Sequence, residues 1–95
     1  MVHRPTVPFY SPQAKSLTVG EVYEHYSGKQ YRVLAIARHS ETLEEMVVYE
    51  ALYGDQNVWT RPLDMFMESI LLEGKLCARF KQVDLEMAHA DDELF

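Results

Sequence analysis

Between Tyr31 and Tyr53 two apolar runs flank a polar loop, and that arrangement narrows the possible folds more than any other stretch of the chain. Gln30–Arg38 reads Q-Y-R-V-L-A-I-A-R and Glu45–Tyr53 reads E-M-V-V-Y-E-A-L-Y. Both are rich in β-branched and aromatic residues and have the length of strands rather than helices. The segment joining them, R-H-S-E-T-L-E, is polar and charged, so the pair is expected to form a hairpin. Strict alternation in the first run puts Tyr31, Val33, Ala35 and Ala37 on one face and Leu34 and Ile36 on the other. Apolar residues on both faces predict an interior strand of a curled or covered sheet.

The flanks extend the same pattern. Upstream, Gly20–Tyr26 is predicted to be a strand that turns at Ser27-Gly28-Lys29, where glycine supplies the positive φ. Downstream, Gly54-Asp55-Gln56-Asn57 is a turn and Val58–Arg61 a short strand. Leu63, Phe66, Met67 and Ile70 fall at helical spacing after Pro62, which suits a first helical position. Gly74 opposes a long helix, so one helical turn over Leu63–Met67 is expected, then strands Glu68–Leu72 and Lys75–Lys81. Roughly five or six short strands with one helical turn predict a mainly β fold, closed as a small barrel that leaves no sheet edge. That domain is assigned to residues 17–83. Residues 1–16 hold Pro5, Pro8 and Pro12 and are expected to form an irregular arm laid over the domain through Phe9 and Tyr10. Residues 84–95 form an acidic tail.

Charge limits the partners. The net charge is -6, but Asp84, Glu86, Asp91, Asp92 and Glu93 lie in the tail, which leaves 10 acids against 9 bases in the body. A neutral body has no basic stripe for phosphates, which argues against a general nucleic-acid binder. No apolar run approaches the roughly 20 residues of a membrane helix, and the N-terminal residues have no apolar signal core. A cytoplasmic protein with no membrane contact is the expectation. Cys77 is the sole cysteine, so no internal disulfide forms, and its place in a predicted strand makes it a small buried hydrophobe.

Several residues could carry chemistry. His25, His39 and Glu41 are types able to hold zinc or to form a base and its orienter. Nothing in their spacing brings them together. Ser40 lacks a nucleophile elbow, and Ser40, Glu41 and Thr42 are better suited to fixing the loop through backbone hydrogen bonds. Trp59 and Arg61 share a face of their strand, where they can stack a flat ligand and clamp an anion or pack as core. Tyr23, Tyr26, Tyr49 and Tyr53 read as half-buried strand aromatics, some of them candidates to line a groove. Arg38 ends an apolar strand and needs solvent or a partner. One of Glu41, Glu44 or Glu50 is expected to hold Arg38 or Arg61 in a bidentate pair.

The strings G-E-V-Y-E-H-Y-S-G-K-Q-Y-R-V-L, A-R-H-S-E-T-L-E-E-M-V-V-Y-E-A-L-Y-G and V-W-T-R-P-L-D-M-F resemble a bacterial domain-of-unknown-function family numbered sixteen fifty-three. The resemblance runs from about Gly20 to Phe80. It implies an SH3-like barrel and a cytoplasmic bacterial protein, and it brings no activity. The family's recurrent polar positions correspond here to His25, Arg38, His39, Ser40, Glu41, Thr42, Trp59 and Arg61. Similar proteins often carry Lys in place of Ser27 and Pro in place of Ala78. The leading expectation is a non-enzymatic binding module using Arg38, His39, Glu41, Trp59 and Arg61, with His25 and Tyr49 adjoining. Its partner would be a protein or a small anionic ligand, and no motif asks for a cofactor. The alternatives are a small hydrolase or metal-assisted enzyme on His25, His39 and Glu41, and a weak nucleic-acid-binding module.

Overall fold

The computed structural model describes residues 9–83. The acidic tail and the start of the N-terminal arm lie outside them. A short helix, α1 (Pro12–Ser16), precedes strands β1 (Val22–His25), β2 (Gln30–Arg38), β3 (Glu45–Ala51) and β4 (Val58–Pro62). One turn of helix, α2 (Leu63–Phe66), leads to β5 (Ser69–Leu72), β6 (Lys75–Ala78) and β7 (Phe80–Val83). Within these residues no helix is long and apolar enough to cross a membrane.

The expected barrel does not close. Five antiparallel strands run in the order β4-β3-β2-β1-β7, and β5 and β6 form a separate two-stranded sheet. Among the described residues β4 and β7 are therefore the edges of an unclosed sheet, which contradicts the SH3-like barrel that the sequence pattern and the resemblance implied. The physical reason lies at two joints. After Pro62 the chain turns into α2 rather than into a strand that pairs with the outer side of β4. The run Lys75–Lys81, expected as one strand, breaks at Arg79 and serves two sheets. Arg79 donates its N–H to the Glu68 carbonyl, closing the β5–β6 hairpin, while its own carbonyl accepts from Tyr26 N–H and opens the β1–β7 ladder. Its guanidinium meets Glu68 at 3.0 Å across the same joint.

Rings fill the space that strand pairing would otherwise close. Phe66 and Phe80 stack at 4.1 Å with planes 4° apart, and Tyr23 and Tyr49 pack against Phe66. Val33, Val47, Leu63, Ala14 and Leu17 complete the core. The apolar pattern of β2 has a different cause from the one expected. The β2–β3 register shifts between Val33 and Ala35, so Val33 faces Tyr49 while Ile36 faces Val47. The extra residue, Leu34, forms a bulge that brings Ile36 onto the same face as Tyr31 and Val33.

The arm is more ordered than expected. Ser11 caps α1 by accepting the Ala14 N–H at 3.1 Å, and Pro12 follows at the position where its missing N–H costs nothing. Ala14 and Leu17 pack into the core, and the Glu45 carboxylate accepts the Ser11 N–H at 2.7 Å. Tyr10 donates its hydroxyl to the Ile36 carbonyl, whereas Phe9 is 94% exposed.

Candidate functional site

Trp59 and Arg61 stand opposite Tyr49 and Val47 in the β3–β4 ladder, so both project from the face that carries the core. Being on an edge strand, they have a paired strand on one side only among the described residues. Tyr31 stands opposite Ala51, and Tyr53 follows two residues on, which brings the two phenols together diagonally. Their hydroxyls meet at 2.6 Å and their rings at 5.5 Å, edge to face. Tyr31, Tyr49, Tyr53, Trp59 and Arg61 line a recess of about 240 Å³ beside β4.

Each group in the recess is held differently. Trp59 is 52% exposed, so it is not a core residue. Tyr49 is buried, and its hydroxyl accepts the Arg61 Nε–H at 3.2 Å. The Arg61 guanidinium also lies 5.6 Å from the centre of the Phe80 ring. Packing on an aromatic face and a phenol hydrogen bond fix its plane while leaving the fork of Nη donors to a ligand's geometry. Lys29 places its ammonium 4.8 Å from the centre of the Tyr53 ring, adding positive charge at the rim. None of the five lining residues is acidic. Burial, then the hydrogen bond with Tyr53, push the Tyr31 phenol up to about 12.

The remaining candidates do not line the recess and have structural partners. His39 accepts the N–H groups of Glu41 and Thr42 at Nδ1, at 3.1 and 3.3 Å. His39 N–H also donates to the Glu44 carbonyl, and Leu43, at φ 65°, returns the chain into β3. Thr42 Oγ1 accepts the Glu44 N–H, and Arg38 donates to the Leu43 carbonyl while its guanidinium lies 4.8 Å from the Tyr10 ring centre. The R-H-S-E-T loop is thus organised by His39, with Glu41 and Ser40 exposed. His25 does the same work at the β1–β2 turn. Its Nδ1 accepts the Ser27 N–H at 3.2 Å and lies 2.9 Å from Ser27 Oγ. Burial, then the charges of Arg61 and Arg79, lower its pKa from the usual histidine value.

His25, His39 and Glu41 do not converge. β2 runs nine residues between the turn held by His25 and the loop held by His39. At about 3.3 Å per residue that is roughly 30 Å. Among the described residues no group of three or more His, Cys, Asp and Glu could hold a metal ion. At Arg61 the partner is the Tyr49 phenol rather than a carboxylate, and an ion pair joins Arg79 to Glu68. Cys77 lies in the β5–β6 hairpin and is half-buried rather than buried. A second concavity, of about 300 Å³, lies among Ser11, Gln13, Glu44, Glu45, Leu63, Asp64 and Met67. The Ser11 N–H holds Glu45 below the usual carboxylate range there, with a smaller contribution from Arg38.

Of the sequence candidates, the recess unites Tyr49, Trp59 and Arg61 and excludes His39, Glu41 and Arg38. Sequence reasoning did not place Tyr31 and Lys29 at the site. The signal for Tyr31 was the register of β2 on β3, which a one-residue bulge hides.

Comparison with known proteins follows the same boundaries. The family model described as "Protein of unknown function (DUF1653)" matches residues 21–82. A crystal structure of a protein of that family from Bordetella bronchiseptica is 35% identical, with a TM-score of 0.66. The similarity covers 74% of this chain and 91% of that one. Among curated proteins no match is found.

Proposed function

The chain belongs to the DUF1653 family, and on that footing we propose that it is a non-enzymatic binding module whose recess beside β4 receives an anionic group borne on a flat or apolar partner. The observation that carries this reading is a half-exposed Trp59 next to an Arg61 already oriented by Tyr49. An indole plane and a guanidinium at fixed separation recognise an apolar surface and a charge together. The absence of acid among the lining residues, with Lys29 at the rim, selects negative charge. The placement of His25 and His39 at opposite ends of β2, each engaged by its own turn, supports binding over hydrolysis.

The test is a calorimetric titration with phenyl phosphate, with inorganic phosphate as a second arm. Arg61→Ala should weaken phenyl phosphate by roughly tenfold or more, the worth of a hydrogen bond to a charged group. Trp59→Ala should weaken phenyl phosphate and leave inorganic phosphate nearly unchanged, and both variants should melt close to the parent protein. Parent-like binding by Arg61→Ala contradicts the proposal. A single-stranded oligonucleotide that binds with a steep salt dependence would instead favour the nucleic-acid reading.

A further inference from the structure

β4 is an edge of the five-stranded sheet, and its phase determines which backbone groups face outward. The Ala51 N–H donates to the Asn57 carbonyl at 2.9 Å, and the β3–β4 register then runs unshifted through Tyr49–Trp59 and Val47–Arg61. Hydrogen-bonded and non-bonded rungs alternate in an antiparallel pair. The bonded rungs of β4 therefore fall at Asn57, Trp59 and Arg61, while Val58 and Thr60 turn N–H and C=O away from β3. Pro62 shares the phase of Val58 and Thr60, where a proline removes no ladder bond. The side chains of Val58 and Thr60 are exposed.

We infer that β4 accepts an extended acidic segment of a partner protein as an added strand, a conclusion that rests on the binding role of the recess. A strand beside β4 sets alternate side chains on the face that carries Trp59 and Arg61, about 5 Å from those directly opposite. A carboxylate opposite Arg61 meets the guanidinium, and the residue two positions along lays an aromatic ring on Trp59. The outward N–H and C=O groups of Val58 and Thr60 supply the ladder, and the two side-chain contacts supply selectivity. Charge complementarity identifies the segment as acidic, because the recess holds Arg61 and no carboxylate and Lys29 lies at its rim.

Trp59 is the sole tryptophan, so its emission reports the site directly. The probes are two blocked peptides, Gly-Ser-Glu-Thr-Phe-Ser-Gly and its reverse, each also made with the threonine backbone nitrogen methylated. The expected result is saturable binding of one peptide, weakened roughly tenfold by Thr60→Pro and by the methylated backbone, the loss of one or two hydrogen bonds. Thr60→Pro should leave phenyl phosphate binding unchanged, whereas Arg61→Ala weakens both ligands. Equal peptide binding by Thr60→Pro, or by the methylated peptide on the parent protein should the variant not fold, overturns strand addition and leaves the recess intact. Absence of peptide binding with phenyl phosphate retained overturns it equally. A concentration-dependent dimer that Thr60→Pro abolishes, without peptide binding, assigns the edge to a second copy instead. Loss of both ligands from the parent protein sinks the recess reading itself.

Discussion

Within the recess Tyr31 is half-buried, and its hydroxyl meets that of Tyr53 at 2.6 Å. Burial and the Tyr53 hydroxyl favour its neutral form, so its folded pKa, about 12, exceeds its unfolded value. The resulting contribution to stability is fully present below the ordinary tyrosine range and is lost as pH rises through about 12. An alkaline absorbance titration should show one late tyrosine step, which Tyr31→Phe removes and Tyr53→Phe moves earlier. Persistence of that step in Tyr31→Phe would assign it to another phenol. A second residue-scale test separates the two loop candidates. His39 accepts two backbone N–H groups, so His39→Ala should cost about 1 kcal/mol in a denaturant titration. Glu41 is exposed, and Glu41→Ala should fall within about 0.5 kcal/mol of the parent. The reverse order would return Glu41 to a structural role. A histidine two residues ahead of a turn residue, as in H-Y-S-G and H-S-E-T, was readable as a turn cap from the start. The sequence pattern instead assigns His25 and His39 to a binding patch, with catalysis as the alternative.

At the scale of elements, local chemistry and tertiary packing account for different parts. The limits of β2 and β4 and the α2 turn followed closely from side-chain pattern, proline and glycine. The Leu34 bulge and the break at Arg79 did not, because each answers to a partner strand rather than to its own sequence. Helix α1 was hidden by its prolines, although Ser11-Pro12 is a start signal in its own right. Its attachment to the sheet has a pH signature. The Ser11 N–H lowers the Glu45 pKa, so this contact is present above the ordinary glutamate range and is lost as pH falls through the depressed value. Hydrogen exchange at Ala14 and Lys15 should accelerate in that acid window. Glu45→Gln should exchange faster at neutral pH and lose the acid step, and an unchanged acid step in that variant would place the titrating group elsewhere.

For the whole molecule, the decisive difference between pattern and structure is closure. Short strands and frequent turns imply a barrel when each run is assigned to one sheet. Here α2 and the split at Arg79 leave β4 without a second strand partner among the described residues, and the rings of Phe66, Phe80 and Tyr49 cover the core in place of a strand. The same opening creates the recess, so fold and candidate site share a cause. Trp59 and Arg61 were readable as a pair from their spacing, but the exposure of Trp59 followed only from the edge position of β4. The most direct check is a nuclear magnetic resonance titration of isotope-labelled protein with phenyl phosphate, following backbone amides and the Trp59 indole. The account predicts saturable shifts at Trp59, Arg61, Tyr31 and Tyr53, with the His39–Glu44 loop unmoved. Shifts centred on that loop, or no saturable change at the recess, would contradict it.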